Sequence, residues 1–343
     1  MRIVTRALLA AVILSLCALA SDAPQYKVLQ TYKLGGEGGW DYLIVDGGSR
    51  NIFVSRGTHV MVVNADSGQV AGDIADTPGV HGIALANDLN KGFVSNGRGN
   101  SVTVFDLKTL KTSNVIKLED AQNPDAILYD PASKRVFTFN GRSSNATAID
   151  ATNDAVLGNI PLDGKPEFAV SDGRGMVYVN IEDKSELTQI DAKNAKVVKT
   201  WPLTGCEEPS GLAMDQKTRR LFAGCHNKVM AVVNADTGAV IATPAIGQGV
   251  DANVFDAERH LAFSSNGDGT LTIVKQDGAD KYSVAQNVQT ARSARTMALD
   301  PKTHNIYLVA AEFDEAPPAQ GETRPRRTMK PGTFQLLVVG SGK

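Results

Sequence analysis

Short runs of alternating apolar and polar residues, each ended by Asp, Asn, Gly or Lys, follow one another along nearly the whole chain. The segment GMVYVNIEDKSELTQIDAKNAKVVKTW, residues 175–201, contains three such runs. This alternation is typical of half-buried strands, and no stretch has the 3.6-residue period of a helix. The pattern therefore predicts an all-β protein built from many short strands.

The runs belong to a repeat. A polar residue that ends the first run of each copy recurs every 41 to 44 residues. An aromatic residue follows this marker by six or seven positions in every copy and lies in the next run. Seven copies with four short strands each predict a seven-bladed β-propeller. The markers are Asp46, Asn87, Asp130, Asp172, Asp215, Asp256 and Asp300.

The two ends of the repeat region complement each other. The seventh copy ends at TFQLLVVGSGK and has no fourth run of its own. The segment YKVLQTYKLGG, residues 26–36, matches the fourth run of another copy, AKVVKTWPLTG, residues 195–205. We therefore expect the N-terminal strand to complete the last blade as its outermost strand, because this closes the ring and removes an open edge. Residues 21–343 would then form one domain.

The first twenty residues have the form of a leader. A start containing Arg2 and Arg6 precedes an uncharged run, and a small-x-small site ends at Ala20. This predicts a signal peptide, residues 1–20, that is cleaved after Ala20. The apolar run is shorter than the roughly 20 residues needed to cross a bilayer. Cys17 follows Leu16, where a lipoprotein signal would have a small residue. We expect a periplasmic or secreted protein without a membrane span.

The second-strand cores of the repeat also resemble a known family. The cores VYVN, IFVS, GFVSN and VFTFN, together with the turns NADSG and NADTG, are similar to those of the YVTN-repeat, YncE-like family. These are exported seven-bladed β-propellers, and the resemblance covers essentially the whole mature chain. The family includes proteins of unknown role and suspected binding proteins, and related propellers carry lactonase or redox-cofactor functions. The resemblance thus implies the fold but no catalytic residues.

One polar residue per blade is predicted to surround the mouth of the central channel. It precedes the marker by five residues, or by six in the second blade, where the connections open on one face of a propeller. Four carboxylates in one ring repel one another unless a guanidinium, a cation or water lies among them. A solvated ring of turn residues is the plainer interpretation. The ring residues are Asp41, His81, Asp125, Glu167, Ser210, Asp251 and Arg295.

The ring has a second interpretation as a metal site. Oxygen ligands with a single imidazole suit Ca²⁺ more than Zn²⁺, which would need more imidazole. The binding interpretation requires no cofactor. If the ring holds one, we expect a divalent cation. The metal set would be Asp41, His81, Asp125, Glu167 and Asp251.

The last blade contains a long connection between its second and third strands, AEFDEAPPAQGETRPRRTMKPG, residues 311–332. This position places it on the mouth face. It could act as a lid or docking arm, with Arg324, Arg326 and Arg327 as an anion-binding patch, or be a solvated loop. Trp40, beside the ring, either lines the channel entrance or packs between blades.

Two cysteines follow the leader, and they flank one hairpin. Cys206 precedes the first strand of the fifth blade and Cys225 ends the second. Export favours a disulfide between them. The alternative is a soft-metal site formed by both thiols and His226.

Composition and motifs limit the classes of function that the sequence allows. The net charge is −2, and loss of Arg2 and Arg6 makes it more negative, so nucleic acid is an unlikely partner. The sequence has no G-x-S-x-G, H-E-x-x-H, C-x-x-C or Walker motif. We expect a monomeric, non-catalytic binding or scaffold propeller that holds a small ligand, a cation or an envelope protein at the mouth. The alternative is a metal-assisted hydrolase or lactonase-like enzyme that uses the same acidic ring.

Overall fold

The computed structural model describes residues 24–278, 280–317 and 326–342. Within these residues it contains 30 strands and two single turns of 3₁₀ helix, Asn87–Leu89 and Glu182–Lys184. The all-β prediction is therefore confirmed. The predicted signal peptide, residues 1–20, and Arg324 lie outside the described residues. No helix in the described part is both long and apolar enough to cross a bilayer.

The strands are, in chain order, β1 Lys27–Lys33, β2 Leu43–Asp46, β3 Asn51–Ser55, β4 Val60–Asn64, β5 Val70–Ile74, β6 Val80–Ala86, β7 Lys91–Asn96, β8 Ser101–Asp106, β9 Thr112–Lys117, β10 Pro124–Asp130, β11 Arg135–Asn140, β12 Asn145–Asp150, β13 Val156–Pro161, β14 Pro166–Ser171, β15 Met176–Ile181, β16 Glu186–Asp191, β17 Lys196–Pro202, β18 Pro209–Asp215, β19 Arg220–Cys225, β20 Val229–Asn234, β21 Val240–Ala242, β22 Val250–Asp256, β23 Leu261–Asn266, β24 Thr270–Gly278, β25 Lys281–Gln289, β26 Met297–Asp300, β27 Asn305–Ala310, β28 Phe313–Ala316, β29 Arg326–Met329 and β30 Gln335–Gly340.

These strands form seven four-stranded antiparallel blades. The first six blades each use four consecutive strands, from β2–β5 through to β22–β25. The seventh has the order β26, β27, β30, β1. In the pairing of β1 with β30, Lys27 lies opposite Gly340 and Lys33 lies opposite Gln335. The seven-bladed propeller closed by its N-terminal strand is thus confirmed.

The core lies between adjacent blades and contains the aromatic residue of each second strand. All seven of these aromatics are at most 1% exposed. In one example, Phe53 of the first blade contacts Phe105 of the second, with 5.6 Å between ring centroids. Fully burying a side chain of this size stabilises the folded state by about 2–3 kcal/mol. The aromatics are Phe53, Phe93, Phe137, Tyr178, Phe222, Phe263 and Tyr307.

The polar markers join neighbouring blades on the face opposite the mouth. Asp256 lies 2.7 Å from Nδ1 of His304 in the next blade. Asp300 of the seventh blade forms an ion pair with Arg50 of the first. Both carboxylates are almost fully buried, at 3% and 0% exposure, so each needs such a partner. The marker spacing seen in the sequence therefore reflects a contact repeated between blades.

The fifth blade contains a disulfide between Cys206 and Cys225, in agreement with the disulfide prediction. The alternative soft-metal site has no free thiols to use. Nδ1 of His226 lies 2.9 Å from a carboxylate oxygen of Glu208 instead.

Candidate functional site

The mouth ring is built by irregularities in the innermost strands. The pairing of inner strand with second strand shifts register at the mouth end of five blades. A bulge at a strand end re-aims a side chain that regular pairing would send between the sheets. The residues within these irregular stretches are His81, Asp125, Glu167, Ser210 and Asp251. Asp41 and Arg295 precede the regular pairing of their inner strands, β2 and β26.

Charges of opposite sign alternate around most of this ring. Nδ1 of His81 lies 2.6 Å from Oδ2 of Asp41 and 3.7 Å from Oδ1 of Asp125. On the other side of Asp41, NH2 of Arg295 lies 3.6 Å from Oδ1. NH1 of Arg295 lies 2.6 Å from Oδ1 of Asp251. The imidazole and the guanidinium therefore each lie between two carboxylates, which reduces the repulsion expected from the sequence.

Glu167 and Ser210 take part differently. Oε1 of Glu167 lies 2.6 Å from Nζ of Lys165, which also pairs with Glu182. Ser210 is 5% exposed, and its hydroxyl donates to the carbonyl of Asp251 at 3.3 Å. Glu167 was predicted to be a metal ligand, and in the structure its partner is the ammonium group of Lys165. Ser210 supports the backbone of the ring.

Three ring residues can share one cation. Ligand atoms of Asp41, His81 and Asp125 all lie within 4.8 Å of one another. Their side chains are between 18% and 29% exposed, so solvent can complete a coordination shell. Asp251, also assigned to the metal set from the sequence, is paired with Arg295. The structure thus brings together three of the five residues of that set.

The His81 ring packs against backbone that only glycine permits. A Cβ atom on Gly97, in the connection between β7 and β8, would lie 2.7 Å from Cδ2 and Nε2 of His81. It would also lie 2.9 Å from Oδ1 of Asn123. Gly97 does not have a positive φ, so space alone requires glycine here. The absence of a side chain at Gly97 therefore sets the position of the imidazole.

Side chains of the second strands hold the backbone of the ring. In the first blade, the hydroxyl of Ser55 accepts a hydrogen bond of 3.1 Å from the amide of Asp41. In other blades a hydroxyl or amide donates to a ring-residue carbonyl of the following blade. These pairs are Ser95 with Asp125, Asn180 with Ser210, and Ser265 with Arg295. The ring is therefore preorganised by buried hydrogen bonds.

An aromatic pair closes the channel below the ring. The rings of Tyr42, in the first blade, and Phe168, in the fourth, are 4.6 Å apart between centroids. These blades are not neighbours, so the contact crosses the central axis. A cavity of about 390 Å³ lies beyond it, lined by the inner strands. The mouth is consequently a depression whose base is formed by Tyr42 and Phe168.

Burial near Tyr42 and Phe168 shifts the pKa values of several ring side chains. It raises the pKa of Asp251 to about 7, although Arg295 opposes the shift. Burial, followed by the charge of Asp125, raises the pKa of Glu167. Burial also raises the pKa of Asp125, against the charge of His81. Burial alone would lower the pKa of His81, but its hydrogen bond to Asp41 and the nearby carboxylates raise it overall. Such shifted groups are frequent at functional sites.

Comparison with known proteins supports the family resemblance. No family model matches the sequence. The uncharacterized protein YncE of Salmonella typhi and that of Salmonella typhimurium are each 22% identical to it over 182 residues. This region is 51% of this chain and 52% of theirs, so the chain spans about half the length of the curated relatives it matches. The chain is a seven-bladed β-propeller that resembles YncE over about half of its length.

Two solved structures resemble this propeller in fold. Kuenenia stuttgartiensis hydrazine synthase superimposes with a TM-score of 0.68 at 15% identity, over 81% of this chain and 94% of that one. U3-55K superimposes with a TM-score of 0.74 at 7% identity, over 92% and 99% of the two chains. At these identities the likeness shows the fold alone.

The described ends of the long connection in the last blade pair as a hairpin. Strands β28 and β29 pair, with Phe313 opposite Met329. Trp40 packs against Phe313 and Phe334, at centroid distances of 5.8 and 5.3 Å. Arg326 is exposed, whereas the guanidinium of Arg327 lies 4.4 Å from the ring centre of Phe313. Trp40 thus anchors the hairpin base beside the ring.

Proposed function

We propose that this chain is an exported binding propeller whose mouth holds a divalent cation through Asp41, His81 and Asp125. The observation that carries the proposal is the 4.8 Å grouping of two carboxylates and one imidazole from three successive blades. The ligands come from three different blades, with Asp41 just before the first strand of its blade, so the rigid ring sets the geometry of the site. A cation there would also lower the pKa values of the neighbouring carboxyl groups, which burial raises.

The ligand types indicate which cations to test. Carboxylates and water suit Ca²⁺ and Mn²⁺, whereas imidazole also accepts Zn²⁺. With one imidazole among the three groups, we favour Ca²⁺ over Zn²⁺. His81 would bind in its neutral form, so cation binding would release protons from the ring.

The proposal assigns binding rather than catalysis. The ring carboxylates already have partners in Arg295 and Lys165, and the hydroxyl of Ser210 is used in the backbone network. A metal-assisted hydrolase would use the same three residues to hold its ion. Turnover of simple lactones by the metal-loaded chain would therefore support that alternative instead.

Metal analysis of protein purified without chelator tests the proposal. We expect about one divalent ion per chain in the unmodified protein, and at least a tenfold loss of affinity in D125N and H81Q. E207Q provides the control because Glu207 is an acidic residue on the same face that lies outside the three-residue group. Equal metal content in D125N and E207Q would refute the cation site.

A further inference from the structure

A small cavity lies next to the ring, where the sixth and seventh blades meet the segment that precedes the first. It has a volume of about 200 Å³ and is lined by Trp40, Arg295, Phe313 and Arg327, together with Gly39, Gly267 and Ser293. Its polar walls are two guanidinium groups and the Ser293 side chain, and its apolar walls are two aromatic rings. The ring residue Arg295 therefore belongs to both the mouth and this cavity.

The two arginines are held in place but remain accessible. Arg295 is fixed by Asp251 at 2.6 Å, and its side chain is still 42% exposed. Arg327 stacks on Phe313 and lies 3.4 Å from Oε1 of Glu315, with a side chain that is 46% exposed. Each guanidinium has five N–H donors, so these contacts leave donors free for a ligand. Paired guanidinium donors match the two oxygens of a carboxylate.

The arginines and the metal-ligand group therefore lie on two different sides of the mouth. Asp41 connects them, because one of its oxygens lies 3.6 Å from Arg295 and the other lies 2.6 Å from His81. On one side, Arg295 and Arg327 can offer to an anionic group the N–H donors that their carboxylate partners leave unused. Cations are favoured on the side of Asp41, His81 and Asp125. A ligand that used both sides would need an anionic end and a group that coordinates a metal.

We infer that the ligand of the mouth is a small 2-hydroxycarboxylate whose carboxylate lies between Arg295 and Arg327. Its hydroxyl group faces the cation held by Asp41, His81 and Asp125, so this part of the inference depends on the proposed function. A cavity of this volume takes a ligand of only a few carbon atoms. The aromatic rings of Trp40 and Phe313 would contact its carbon chain.

Lactate is the probe for the test, with lactamide as its uncharged counterpart. Trp40 lines the cavity and Trp201 lies in the fourth blade, so W201F leaves Trp40 as the fluorescent reporter. In Ca²⁺-loaded W201F protein, we expect lactate to change Trp40 fluorescence and lactamide to bind at least tenfold more weakly. Inorganic phosphate should also bind at least tenfold more weakly than lactate.

The arginine variant separates this inference from a general charge effect. R327Q should weaken lactate binding at least tenfold without changing metal content. K330Q removes one positive charge from the same hairpin, and Lys330 does not line the cavity, so it should bind lactate as the parent does. Both positions are on the surface, and a thermal melt would verify that each variant folds.

Further outcomes distinguish a failure of the cation site from a failure of the carboxylate site. If D125N keeps its metal but R327Q still loses lactate, the cation site fails and the carboxylate site stands. Unchanged lactate binding in R327Q, or no lactate binding by metal-loaded protein, would overturn the carboxylate inference. Equal affinity for lactamide or phosphate would overturn it as well.

Discussion

The phenol oxygen of Tyr26 accepts a hydrogen bond of 2.7 Å from Arg259, which lies 233 residues further along the chain. The Tyr26 ring lies edge-on to Phe263, with 5.2 Å between centroids, and Tyr26 is 2% exposed. Its amide and carbonyl both bond to the side chain of Gln286. The start of the described chain is therefore fixed to the sixth blade as well as to the seventh.

Removing this anchor should destabilise the whole ring. We expect Y26A to lower the free energy of unfolding by about 3–5 kcal/mol, because it leaves a cavity and removes the hydrogen bond from Arg259. Urea denaturation measures the change. Q30A is the control, since Gln30 is exposed on β1, the strand that directly follows Tyr26. Deleting residues 21–34 should prevent stable folding. If Y26A and Q30A unfold at the same urea concentration, closure by this strand does not stabilise the ring.

The disulfide between Cys206 and Cys225 should contribute measurable stability. The two residues are 19 apart in sequence, and constraining a loop of this size in the unfolded chain stabilises by about 3 kcal/mol. A reductant should therefore lower the urea midpoint of the unmodified protein. The same reductant should leave the midpoint of C206A/C225A unchanged. A reductant effect of equal size in both proteins would show that it acts elsewhere.

The buried carboxyl of Asp251 should make stability depend on pH. Its pKa is about 7 in the folded chain against an ordinary value of 3.8. Between these values the folded chain keeps a proton that the unfolded chain has released, so stability falls as pH rises. Asn does not titrate. In chelator-treated protein, the free energy of unfolding of the parent should therefore fall relative to that of D251N as the pH rises. The expected fall is up to about 1.4 kcal/mol per pH unit. A difference that stays constant from pH 4 to 7 would contradict the shift.

A single methyl group should disturb the cation site without removing a ligand. In G97A the new Cβ would lie 2.7 Å from the His81 ring, so the imidazole must move. We expect roughly tenfold weaker metal binding. G141A is a matched control in the next blade, because its nearest neighbour would be Cε of the flexible Lys165 at 3.7 Å. Isothermal titration with Ca²⁺ compares them, and identical affinities would argue against His81 as a ligand.

Most of the fold could be predicted from spacing, because every blade repeats a buried aromatic residue and a polar marker, which is Asp in six blades and Asn87 in the second. The positions of the ring residues could also be predicted, since each precedes its marker by five residues, or by six for His81. The side chains that pair with the ring residues could not be predicted from the sequence. Lys165 lies in a loop outside the offset, and only the folded geometry brings it to Glu167. The supporting hydroxyl of Ser95 gave a weak signal, because Ser in a strand core is also compatible with simple burial.

The bulges at the inner strands have a practical consequence for protein engineering. Each of them carries one ring side chain towards the axis, while the residues that follow it pack between blades. Side chains at positions such as His81 or Glu167 can therefore be exchanged one by one with little effect on inter-blade packing. Combinatorial libraries restricted to the bulge positions His81, Asp125, Glu167 and Asp251, with Ser210 kept for its backbone hydrogen bond, should therefore yield mostly folded proteins with altered recognition at the mouth.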